Sequence, residues 1–370
     1  MKKIYNNIII SFVILIILIV IWLIVDNSFV DKNLKQGNSK WTFIIYMSGD
    51  NDLSEMVSKN RGLLKSVGST DDLTIIALMD QENNGDTKLG LIKLRNVNET
   101  ELSVLDSNYT NELNMGDEKT LENFVTWGMD TYPNQHYCLI IWGHGKGWRG
   151  VAKDNDDYLT MAELNTALRN IVEHNNGEKL DIIGFDACGM GMLEVFYQVQ
   201  DYTDIVIASE KDIPERGWPY YDILQPLKED PDMSPKEFSK LIVDKYTKSY
   251  SLGKVDSEGY SVGLTAVDLS KIDRIVDNLE FESTNQHQLQ YYEEEDYTDL
   301  FRYAQINGFK DLMKAINASI IAESHWVNPE DPIDYAYGMT IYYPDKYDQK
   351  YDKLAFARDT QWDDWLRENI

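Results

Sequence analysis

Five short runs constrain this chain more than any other feature: WTFIIYM (41–47), LTIIALMD (73–80), YCLIIW (137–142), LDIIGF (180–185) and DIVIAS (204–209). Each is apolar at nearly every position rather than at every second one, which is the pattern of a strand covered on both faces. Segments of helical spacing lie between them. SGDNDLSEMVSKNRGLLKSV follows the first run as a loop and helix, and EKTLENFVTWGMD (118–130) repeats through Leu121, Phe124 and Val125. LTMAELNTALRNIVE (159–173) turns Leu164, Leu168, Ile171 and Val172 inward behind a capping box of Thr160 and Glu163. Strand and helix in alternation predict a doubly wound α/β layer with a mostly parallel sheet over residues 41–225. NGDTKLGLIKL adds an edge strand or hairpin after an Asn-Gly-Asp turn.

Residues 226–370 read as more helical. Ser234, Pro235 and Glu237 open a helix that faces inward through Phe238, Leu241, Ile242 and Tyr246. LSKIDRIVDNL and FKDLMKAINASIIAES repeat the pattern. YYEEEDYTDL (291–300) reads as a solvated acidic surface, and YGMTIYYP (337–344) as one late strand. No linker separates this part, so it is expected to pack directly on the sheet.

Ahead of the first strand lies IIISFVILIILIVIWLIV (8–25), in which Ser11 is the one polar side chain. That is close to the ~20 residues a membrane-spanning helix needs, and no small-residue cleavage site follows. Lys2 and Lys3 should stay cytoplasmic. The expectation is a signal anchor over residues 1–25, a polar linker over 26–40, and a domain held at the cell membrane on its outer side. A formal net charge of -27 argues against a nucleic-acid partner, because phosphate contacts need clustered Lys and Arg. Of the two cysteines, Cys138 falls inside a core strand and reads as a buried free thiol, which leaves Cys188 for chemistry.

Ligands of open α/β sheets bind beyond the carboxyl ends of the strands. CLIIWGHGKGW places His144 there between two glycines, and LDIIGFDACGMG places Cys188 there before the helical MLEVFYQVQ. A cysteine at a helix N-terminus has its thiolate favoured by the dipole, and an imidazole nearby can take its proton. Histidine before cysteine in the chain is the reverse of the papain order, and ACGMG lacks the first glycine of a hydrolase elbow. One Cys and one His are too few for zinc, so no metal is assigned.

YMSGDNDL, IIWGHGKGW, GFDACGMGMLEV and ASEKDIPERGW, in this order, resemble the clostripain family of cysteine peptidases over residues 41–225. The resemblance continues weakly through LTAVDLSKI and YGMTIYYP. It implies a caspase-like α/β/α sandwich and a Cys188–His144 dyad without an obligatory third residue. It further implies an oxyanion hole from the N–H groups of Gly145 and Cys188. Clostripain-like enzymes cut after Arg or Lys, and an acid two residues before the nucleophile helps to line the S1 pocket. Asp186 holds that position, although capping of the following helix is a second role open to it. A further pocket acid is expected from the loop after the next strand, where Glu215 and Asp212 are candidates and Glu215 is favoured. Some relatives cut themselves between the His and Cys strands. The corresponding loop here, KGWRGVAKDNDDYLT, contains Lys146, Arg149 and Lys153, with Lys153 the preferred cut site. No organic cofactor is implied. Some relatives need calcium; DNDD (154–157) and SGDNDL offer oxygens, yet neither fits an EF-hand loop, and acidic surface loops account for both more simply. The expected function is a membrane-anchored extracytoplasmic endopeptidase acting on protein or peptide substrates after basic residues. The alternative is a catalytically silent caspase-like ectodomain that binds a peptide or surface partner.

Overall fold

The computed structural model describes residues 40–370 apart from 84, 108–111, 254–255, 285–288, 290, 293–295, 330 and 333–335. Its strands are β1 (Trp41–Met47), β2 (Leu73–Met79), β3 (Lys88–Lys93), β4 (Asn96–Thr100), β5 (His136–Trp142), β6 (Val151–Asp154) and β7 (Asp157–Leu159), followed by β8 (Leu180–Asp186), β9 (Thr203–Ala208), β10 (Val262–Asp268), β11 (Tyr291–Tyr292), β12 (Tyr297–Asp299), β13 (Ile320–Trp326) and β14 (Thr340–Tyr342). The doubly covered runs are buried as expected: β1 and β2 at every position, β5 and β8 at all but one.

They form the parallel centre of a nine-stranded sheet of order β13-β10-β9-β8-β5-β1-β2-β3-β4. Strands β9, β8, β5, β1 and β2 run parallel, and an antiparallel pair closes each edge. Alternate strand residues serve opposite layers. Ile44, Leu139 and Ile183 pack with Phe124, Leu164 and Phe196, from the helices Glu118–Thr131, Met161–His174 and Leu193–Val199. Phe43, Ile140 and Ile182 pack with Val57, Leu224 and Phe238, from the helices Ser54–Val67, Tyr220–Glu229 and Pro235–Ser251. Both expected capping boxes, Thr160 with Glu163 and Ser234 with Glu237, are formed.

Four readings of the sequence need correction. The line at residue 225 does not divide the sheet, since β10 and β13 beyond it complete one edge. FKDLMKAINASIIAES is helical only to Ser319; from Ile320, which is already extended at ψ 119, the β-branched pair Ile320–Ile321 turns into β13 and pairs with β10. The loop after His144 contains the hairpin β6–β7. The acidic run 291–300 is not all solvated: Tyr297, Thr298 and Asp299 are buried, and Asp299 caps the helix Leu300–Asn307 through Arg302 N at 2.5 Å. The late strand is β14, which joins β12 and β11 in a separate small sheet. The apolar run 8–25 lies outside the described residues, and among the described residues no helix is long and apolar enough to cross a membrane.

Glu194 ties the helix after Cys188 to this small sheet. Its Oε1 accepts from Tyr342 N at 2.8 Å and from the Tyr351 hydroxyl at 2.7 Å. Burial pushes its carboxyl up to about 7, against those two hydrogen bonds. An acid that keeps its proton only in the folded state contributes stability below its unfolded value of about 4.3 and loses it as the pH rises through the folded value. The protein should therefore unfold at a higher temperature near pH 5 than near pH 8. Glu194→Gln, neutral throughout, should narrow that gap by about 3–6 °C in calorimetric scans.

Candidate active site

The parallel register brings three strand ends level. Met47 of β1 pairs with Trp142 of β5, and Trp142 pairs with Asp186 of β8. The ladder runs one step further through Ser48 N to Trp142 O (3.0 Å) and Gly143 N to Asp186 O (3.2 Å). His144 and Cys188 each lie two residues past their strand ends. Their loops touch because Gly145 has no side chain: a Cβ there would lie 2.4 Å from Cys188 O and 3.0 Å from Met190 Sδ. Gly143 makes the preceding turn at φ +142, where a Cβ would press on Ser48 O at 2.8 Å.

The two residues line one cleft of about 190 Å³. His144 Nε2 bonds Asp52 Oδ1 at 2.7 Å, and this hydrogen bond holds the Asp52 carboxyl below its ordinary range despite partial burial. Because Nε2 is committed to a carboxylate, Nδ1 is the nitrogen left to exchange a proton. Cys188 is half-buried and outside any disulfide; its Sγ accepts from Ile213 N at 3.3 Å and lies 3.7 Å from Ile213 O. Cys138 is buried and free, as expected. The dipole argument for Cys188 does not hold, because the next helix starts only at Leu193 and has Met192 as its N-cap. Cys188 sits instead in a turn pinned to the loop after β9 by Gly189 N to Lys211 O (3.0 Å) and Gly191 N to Ser209 O (2.7 Å).

The cleft is acidic. Asp186 does not cap the helix; its Oδ2 accepts from Trp218 N at 3.0 Å and the Tyr220 hydroxyl at 2.7 Å. Its Oδ1 is buried with no hydrogen-bond partner, and burial pushes the carboxyl up to about 7. Asp212 and Glu215 line the same cleft, so the structure brings both candidate acids to it. Two further acids were missed by sequence reasoning. Asp52 lies in the quoted SGDNDL stretch, where an acid past a neighbouring strand end was the available signal. Glu258 comes from the loop after the helix Pro235–Ser251, lines the cleft, and accepts from Glu215 N at 3.3 Å; nothing local in the sequence marked it. Lys153 lies in β6, its carbonyl accepting from Ser48 Oγ at 2.5 Å and Asn51 Nδ2 at 2.8 Å. Arg149 is held by the Tyr297 hydroxyl at 2.8 Å and Asp296 at 2.6 Å.

An α/β/α sandwich around a mostly parallel sheet, with a cysteine and a histidine on adjoining strand-end loops, is a caspase-like fold. Within that class the chain belongs to the clostripain family, whose sequence profile matches residues 45–330. It is 26% identical over 230 residues to clostripain of Hathewaya histolytica, a match covering 53% of this chain and 44% of that protein. The chain thus spans less than half the length of that relative. Among solved structures, a secreted C11 cysteine protease from Bacteroides thetaiotaomicron bound to an irreversible peptide inhibitor has a TM-score of 0.71 at 20% identity, covering 88% of this chain and 100% of its own. An inactive zymogen C11 protease from Parabacteroides distasonis has a TM-score of 0.67 at 20% identity, covering 87% and 98%. Both share the fold.

Gly145→Ala should separate the two loops. A displacement of about 1 Å costs on the order of 100-fold in rate for a positioned reaction. Gly145→Ala is therefore expected to lose at least that much turnover of any peptide the parent cleaves. Gly62→Ala, where a Cβ meets nothing within 4 Å, should lose none.

Proposed function

We propose that this chain is a cysteine endopeptidase that cuts peptide bonds after Arg or Lys. The observation that carries the reading is Asp186 Oδ1, a buried oxygen without a partner on the wall of the cleft that holds Cys188 and His144. A guanidinium or ammonium entering the cleft would supply the missing donor and the missing positive charge. Asp212, Glu215 and Glu258 add negative potential around the entrance.

In this reading Cys188 Sγ attacks the carbonyl carbon of the basic residue while His144 Nδ1 takes the thiol proton. The oxyanion is held by the N–H groups of Gly145 and Cys188. The carbon–nitrogen bond then breaks, the proton passes from His144 to the leaving amine, and a thioester remains. Water attacks the thioester, giving its proton to His144, and the thiol is restored as the acid leaves. Asp52 holds the ring in place through its hydrogen bond to Nε2. The same chemistry turned on the chain's own loop would cut after Lys153, whose carbonyl must first leave Ser48 and Asn51. The apolar run 8–25 would hold the enzyme at the outer face of the cell membrane.

Fluorogenic peptides with Arg, Lys, Asp or Ala at the cleaved position test this. Arg and Lys substrates should be turned over, and Asp186→Asn should lower kcat/KM for them by about 100-fold or more while affecting the Ala substrate far less. Because Asp186 is ionised only above about 7 in the free protein, the Arg-over-Ala preference should shrink as the pH falls below that value. An Arg preference that survives Asp186→Asn would remove Asp186 from the pocket.

A further inference from the structure

The turn that carries Cys188 is held by one short segment, residues 209–213. Ser209 O accepts from Gly191 N at 2.7 Å, Lys211 O accepts from Gly189 N at 3.0 Å, and Ile213 N donates to Cys188 Sγ at 3.3 Å. The fit is close, since a Cβ on Gly191 would lie 2.7 Å from Glu210 N. Glu210 joins this segment to the small sheet. Gly338 N donates to its Oε1, and its carboxyl group meets that of Asp299 at the end of β12 within hydrogen-bonding reach. Thr340 N of β14 donates to Gly191 O at 2.8 Å, so the turn lies between the segment and the small sheet and is bonded to both.

Asp299 is fully buried and Glu210 nearly so. The partners of Asp299 are those of a carboxylate: its Oδ1 accepts from Arg302 N at 2.5 Å and its Oδ2 from Tyr337 N at 2.8 Å. Glu210 Oε2 is buried with no donor to accept from. Two carboxylates in contact away from water cannot both stay charged without a cation. The cations nearest in the chain are engaged elsewhere, Lys211 Nζ with Asp331 Oδ2 at 2.7 Å and Arg302 Nη1 with Gln305 Oε1 at 2.7 Å. Glu323 of β13, bonded to His325 Nδ1 at 2.7 Å, adds a further like charge. One proton between the two acids is the remaining solution, and it belongs to Glu210. Burial and then the Asp299 charge push the Glu210 carboxyl well above its ordinary range, whereas burial lifts Asp299 only to about 6 against its backbone N–H donors.

We propose that Glu210 is a positioning residue for Cys188: as a neutral acid donating its proton to Asp299, it clamps residues 209–213, and with them the Cys188 turn, to the small sheet. Opening the clamp exposes Glu210 to water, where its ordinary value is about 4.3. Above that value each pH unit favours the open, ionised state by about tenfold, until the pH passes the folded value. The clamp is therefore tight in acid and weakens as the pH rises. That Cys188 is the reacting group rests on the proposed function; the shared proton and its hold on the turn do not.

The test is hydrogen exchange at Gly189 and Gly191 in the full chain between about pH 5.5 and 7.5, corrected for the intrinsic pH dependence of exchange. Protection of these two N–H groups in the parent should fall about tenfold per pH unit more steeply than in Glu210→Gln, whose amide keeps both bonds and cannot ionise. Glu210→Ala keeps neither bond, and near the acid end it should exchange at least tenfold faster than Glu210→Gln. Urea unfolding should show the same excess slope of the folding constant in the parent, so the comparison stands on the parent and Glu210→Gln even if Glu210→Ala fails to fold. Equal slopes in the parent and Glu210→Gln would overturn the proposal, because no proton would then be shared. Slopes that differ in urea but not at Gly189 and Gly191 would overturn the hold on the Cys188 turn. No measurement requires a peptide to be cleaved, so failure of the clamp and failure of the peptidase reading are told apart.

Discussion

The parallel register of β1, β5 and β8 is the constraint on which the rest of the structure depends. Because Met47, Trp142 and Asp186 stand side by side, the next few residues of three distant segments emerge at one edge. Asp52, His144 and Cys188 are neighbours for that reason. A slip of one residue in any of these pairings would send the doubly buried side chains of the strand to the opposite layer. The core that fills both layers and the geometry of the cleft are thus fixed by the same pairing. Gly145 completes the arrangement by allowing the His and Cys loops to meet without a side chain between them.

The same edge carries negative charge beyond what its own chain neutralises. Asp186 and Asp80 are both buried, each with one oxygen unpartnered, and burial pushes the first up to about 7 and the second up to about 9. A basic side chain in the cleft would offset the cost of burying the Asp186 carboxylate, which comes from desolvation. The overall charge of -27 has the same sign, so approach of a cationic group is favoured at long range.

The sheet was legible because doubly buried strands are apolar at every position, and the helices because their caps and spacing are local. Cys188 and His144 were legible as strand-end residues beside glycines, and their quoted motifs carried the family. What escaped depended on partners distant in sequence. Ile320–Trp326 continues a helical pattern and becomes a strand only because β10 offers an open edge. Asp52 stood in a quoted motif, but its bond to His144 follows from the register of β1 on β5, which neither segment reveals alone. Glu258 reaches the cleft through the path of the chain after the helix Pro235–Ser251. The favourable dipole expected at Cys188 failed because the turn runs on to Met192 before the helix begins.

The central claim is that Cys188, His144 and the acidic cleft act together on a basic residue. Its most direct test is intact-mass and peptide mapping after exposure to an arginine peptide bearing a thiol-reactive ketone, with the corresponding alanine peptide as control. The account predicts one adduct, on Cys188, formed much faster with arginine than with alanine and abolished by His144→Ala. Equal labelling by both peptides, labelling at Cys138, or labelling of Cys188 that persists unchanged in His144→Ala would contradict it.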